Sequence, residues 1–131
     1  MFARLLLASA ITLGTTYSAQ SQVLPDRTMT WGDLHSGDCI MLPGSSVAFR
    51  ADGTGTFSAT TETLHTHSGD VWHHRIQVLS TTGAPLFSLG PWDSPRMDDG
   101  NPPPQYPWTQ TFHFDPAVFA AIGSATATYN C

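Results

Sequence analysis

Apolar and polar residues alternate along this chain with a period of two, the pattern of half-buried β-strands rather than helices. Over residues 46–63, Val47 and Phe49 share one face of an incoming strand, and Phe57 and Ala59 share one face of the outgoing strand. A two-residue Asp52-Gly53 turn sets Phe49 opposite Thr56 and throws Phe57 to the far side. A three-residue loop, Ala51-Asp52-Gly53, pairs Val47 with Phe57 and keeps all four inward, with Gly53 in the left-handed position of a bulge.

Residues 56–64 and 71–79 flank Ser68-Gly69 and predict a second hairpin. A two-residue or a four-residue loop gives the same register. Ala59 then faces Val78, Thr61 faces Ile76, Thr63 faces His74 and His65 faces Trp72. On the other side Glu62 meets Arg75, an exposed pair worth less than about 1 kcal/mol that marks register rather than stability.

The remaining segments are shorter. Residues 21–30 lack periodicity and read as a loose arm leading to Trp31, before core character begins at 31–34 and 39–42. Thr82-Gly83-Ala84-Pro85 turns the chain into a short strand at 86–89. Residues 90–107 hold six of the ten prolines, and no regular element is expected there. Trp108, Gln110, Phe112 and Phe114 then share a strand face. Asp115 and Pro116 have the chemistry of an N-cap and first turn, opening a short helix with Phe114 stapled on Phe119 and Val118, Phe119 and Ile122 inward. A last strand puts Ala125, Ala127, Tyr129 and Cys131 in one phase. The expected fold is all-β and mainly antiparallel, a small β-barrel or sandwich of about 6–8 strands with one short helix near the C-terminal end. The small inward residues Thr61, Thr63, Ala125 and Ala127 favour the barrel.

Composition adds a compartment. Arg4, the apolar run 5–13 and the small residues of 16–19 have the order of a secretory signal peptide, 1–19, too short to span a bilayer. One secreted, extracellular domain over 20–131 is expected to remain. In an exported chain its two cysteines, Cys39 and Cys131, are each other's only partners, so a disulfide should tie an early strand to the last one. The net charge is −5 and every basic residue is Arg. Such a balance argues against nucleic-acid and anionic-membrane partners and suits a monomer.

Two groups of residues carry candidate chemistry. Trp92, Tyr106 and Trp108 lie on or beside the proline-stiffened stretch, where amphipathic rings grip a small apolar ligand, a glycan or a protein partner. Four of the six histidines fall at 65, 67, 73 and 74, and His65, His67 and His74 are the candidate zinc or copper ligands. No H-E-x-x-H and no G-x-S-x-G is present. Asp98-Asp99-Gly100-Asn101 lacks the downstream Glu of a calcium loop. Pro103-Pro104-Gln105-Tyr106 matches a WW-domain ligand, but those domains are intracellular. A non-enzymatic binding domain without a cofactor is therefore the first reading. A metal-binding protein or metal-dependent enzyme is the second, and an extracellular inhibitor or effector the third.

The order Trp31, Gly37-Asp38-Cys39, Phe49, Asp52-Gly53-Thr54, Phe57, Asp70-Val71-Trp72, Gly83, Phe114-Asp115-Pro116, Phe119, Ile122, Cys131 resembles a family of small secreted proteins of actinomycetes and fungi, a domain of unknown function. The resemblance implies secretion and the Cys39–Cys131 bridge, and brings no catalytic residues.

Overall fold

Residues 24–131 are described by a computed structural model, and the segment 1–19 read as a signal peptide lies outside them. In chain order the strands are β1 (Arg27–Trp31), β2 (Leu34–Ser36), β3 (Cys39–Met41), β4 (Ser45–Phe49), β5 (Thr54–Thr63), β6 (His73–Ser80), β7 (Pro85–Asp93), β8 (Tyr106–His113) and β9 (Ile122–Asn130). A 3-10 helix, Pro116–Ala121, precedes β9. The strands form two antiparallel sheets.

The longest strand, β5, organises the larger sheet. Every second residue is buried, from Gly55 through Phe57, Ala59 and Thr61 to Thr63. One edge of β5 carries β8, and the other carries β4 and then β3, end to end. Further out β1 pairs with β4 and β2 with β3. The smaller sheet has the order β7-β6-β9.

The first turn follows the parity argument. Val47 pairs with Phe57. Arg50 and Thr54 close the Ala51-Asp52-Gly53 loop, and Gly53 has φ 91°. The second hairpin is not formed. β5 is flanked by β3, β4 and β8, whereas β6 lies between β7 and β9. The inward faces assigned to both strands are right, but those faces meet across the core instead of side by side. Glu62 therefore pairs with Ile40, and Arg75 with Thr128. Inward parity alone cannot separate neighbours within a sheet from strands opposed between sheets.

Three other segments differ from expectation. The supposed arm is partly strand, because Met29 and Trp31 turn inward on β1 beside β4. The proline-rich stretch is strand at both ends. β7 continues through Gly90-Pro91 to Asp93 across a register shift, which an edge strand tolerates because its outer N–H groups need no ladder partner. The helix is 3-10 rather than α: Asp115 Oδ1 accepts from Ala117 N at 2.9 Å, and Ile122 already turns into β9.

Two faces packed around one core make this a sandwich rather than a closed barrel. Phe57 sits at the centre, 4.8 Å from the His74 ring, 5.3 Å from Trp108 and 5.4 Å from Trp92. These rings fill the room beside the small inward residues. The Cys39–Cys131 disulfide joins β3 of one sheet to the end of β9 in the other, with a Cα–Cα distance of 6.2 Å and a sequence separation of 92. Among the described residues, no helix is long and apolar enough to cross a membrane.

Candidate functional site

The three aromatic candidates are drawn into the fold. Trp92 lies on β7 opposite His74, half-buried, with its ring 5.4 Å from Phe57 and 5.8 Å from Phe112. Trp108 is only 8% exposed and donates its indole N–H to Thr61 Oγ1 at 3.1 Å. The Tyr106 hydroxyl accepts from the Asp98 N–H at 2.9 Å. Buried Met97 bonds Asp70 through both of its backbone groups, so the loop after β7 is fastened back onto the domain. The three rings do not form one exposed platform.

The three histidine candidates are divided. His74 on β6 is 1% exposed, stacked on Phe57 and Tyr129. Its Nδ1 accepts from Trp72 Nε1 at 3.1 Å, and its buried Nε2 has no partner. Loss of solvent pushes the imidazole down to about 4. His65 and His67 belong to the turn between β5 and β6 and are exposed. The structure therefore does not bring His74 to them: an imidazole in the core and two at the rim cannot share an ion. Among the described residues, the group of three ligand types within 4.8 Å is Cys39, Asp70 and Cys131, whose sulfurs are bonded to each other.

The turn carrying His65 and His67 is built by carboxylates. Asp70 accepts from Thr63 Oγ1 at 2.6 Å and from Thr66 Oγ1 at 3.3 Å. Asp99 accepts from the Thr66 N–H at 2.9 Å. His65, His67, Asp38 and Asp70 line a cleft of about 430 Å³ beside the disulfide.

A different surface stands out on the outer face of the larger sheet. Pairing registers place Thr30, Ser46, Ser58 and Thr109 in one row across β1, β4, β5 and β8. The next row is Thr28, Ala48, Thr56 and Thr111. Seven of these eight neighbouring positions carry a hydroxyl and none carries an ionisable group. Strand geometry spaces them about 4.8 Å apart across the sheet and about 7 Å along it. Arg50 lies at the margin, reaching Thr54 Oγ1 at 3.3 Å and Thr56 Oγ1 at 3.0 Å. The outer face of the smaller sheet is charged instead, with Arg75 and a 2.6 Å His73–Asp93 contact.

Beside the first row a trough of about 220 Å³ opens where Pro43 and Gly44 interrupt the edge between β3 and β4. Its walls include Pro43, Gly44 and Pro107, with Ser58, Thr60 and Thr109 across it. A Cβ on Gly44 would meet nothing within 4 Å, so the mouth is open. Trp108 and the buried, unpartnered Ser45 hydroxyl border it from the core side. The sequence held a signal for this face in Thr54-Gly55-Thr56-Phe57-Ser58-Ala59-Thr60, Thr109-Gln110-Thr111 and Thr28-Met29-Thr30. Only the register shows that these runs align.

Residues 46–131 match a family of unknown function, DUF6294, and the chain belongs to it. No curated protein and no solved structure matches.

Proposed function

We propose that this member of a family of unknown function is an exported, non-enzymatic binding domain that holds a neutral glycan on the outer face of its larger sheet. The observation that carries the reading is the uncharged row Thr30, Ser46, Ser58, Thr109 alongside the trough. Each hydroxyl both donates and accepts, as each sugar hydroxyl does, so the two surfaces can pair in several arrangements without an ion on either side. The rings of Pro43 and Pro107 offer apolar walls for the C–H faces of a sugar. A concave site with a few convergent polar groups is the usual form of a small-ligand pocket. Export is supported by the disulfide and by the leader-like order of residues 1–19. An apolar ligand gripped by Trp92 and Tyr106 has less support, because both rings are already engaged within the domain.

Glycan arrays and co-sedimentation with insoluble neutral polysaccharides test the proposal. Thr60→Glu and Thr109→Glu, each adding a charge at the trough, should abolish binding while the thermal midpoint stays within a few degrees. Trp92→Ala and Tyr106→Ala should act only through stability. Absence of binding to every neutral glycan, or binding that survives both charge insertions, would sink the assignment.

A further inference from the structure

The second place where unabsorbed chemistry gathers is the rim turn between β5 and β6. The rings of His65 and His67 are 5.0 Å apart between centroids, and both line the cleft at the disulfide. Asp99, from the loop after β7, brings its carboxylate Oδ2 to 3.6 Å from His65 Nδ1. That separation is too long for a hydrogen bond, which closes at about 2.7–3.2 Å. It is near the edge of a coordination tetrahedron, about 3.4 Å when donors sit 2.0–2.1 Å from one ion. The Thr66 N–H bond to the same Oδ2 aims the carboxylate, as an outer hydrogen bond does for a metal ligand. Thr66 is itself held by Asp70 and by the Gly69 N–H, so the turn presents both histidines from a braced backbone.

From this geometry we propose that His65, His67 and Asp99 form a site for a divalent first-row transition metal, Zn²⁺ or Cu²⁺. Imidazole with carboxylate is a donor set suited to these ions. The donor atoms of the three do not all lie within 4.8 Å of one another. The proposal therefore requires His67, an exposed side chain whose rotamers exchange within nanoseconds, to turn its donor toward the His65–Asp99 pair. The fourth position is left to water or to a donor from a partner. The site excludes His74 and is separate from the glycan trough, so either proposal can fail without the other.

Isothermal titration of untagged, disulfide-intact protein with zinc chloride, and in parallel with copper sulfate, provides the test. One ion per chain should bind, and His67→Ala and Asp99→Asn should each weaken binding at least tenfold with circular dichroism unchanged. The His65 and His67 ring signals should broaden first when Cu²⁺ is added in an NMR titration, a measurement that needs no variant. No saturable binding of either ion overturns the proposal. So does broadening centred on His35, His73 or His113, or affinity unaltered in both variants.

Discussion

The indole N–H of Trp72 donates to Nδ1 of His74 at 3.1 Å, and this bond fixes the tautomer of the buried imidazole. Trp72 can only donate, so neutral His74 carries its proton on Nε2, inside the core and without a partner. Protonating Nδ1 would break the bond and place a charge between the Phe57 and Tyr129 rings.

The pH dependence of stability follows. The folded state holds His74 at about 4, below the 6.5 of a free imidazole, so the unfolded chain binds the extra proton first. Stability is full above pH 6.5 and falls as pH drops from 6.5 through 4, by on the order of 3 kcal/mol. Urea unfolding at pH 7.5, 5.5 and 4 should show this slope, and His74→Phe should flatten it. An unchanged slope in the variant would assign the acid sensitivity to another group.

Reducing the Cys39–Cys131 bridge, or Cys131→Ser, should cost about 2–5 kcal/mol. β9 is an edge strand paired only with β6, and the bridge holds its far end. Hydrogen exchange in the reduced protein should therefore rise first at Thr126, Thr128 and Asn130. Intact mass with and without reductant gives the control.

Gly55→Ala should destabilise by about 1–3 kcal/mol, although a strand normally gains from the change. A Cβ at Gly55 would overlap the Phe112 ring and lie 2.8 Å from the Ala48 carbonyl oxygen. Thermal unfolding measures the loss, and Gly55→Ala with Phe112→Leu should recover part of it.

Thr61→Val should cost about 1–3 kcal/mol, because the indole N–H of Trp108 would be left buried without an acceptor. The same substitution should leave glycan binding intact, since Thr61 faces the core.

What the sequence made legible was local. Val47 opposite Phe57, the Gly53 bulge and the Asp115 cap each depend on residues within about ten positions, where parity and side-chain chemistry decide between few alternatives. The neighbour on the other edge of β5, β8 rather than β6, did not yield to the same reasoning. His74 reads as inward and both it and Trp92 as candidate ligand chemistry, because histidine and tryptophan suit metals and ligands, yet in the core they serve as packed rings. The alignment of the hydroxyl rows escaped the sequence for the opposite reason. Thr30, Ser58 and Thr109 are unremarked singly and form a surface only when three separate pairings align them.

The bridge also decides how the domain answers a pull. Tension entering through Cys131 passes across the sulfur–sulfur link to Cys39, so the residues between them, a separation of 92 in sequence, carry no load while the bond is intact. Among the described strands, β1 and β2, upstream of Cys39, are the ones that can be peeled away. A chain held at one end and stretched by a bound partner would thus lengthen by its leading segment alone. The face formed by β5 and β8 would keep its shape under strain, even as Thr28 and Thr30 were stripped from its margin.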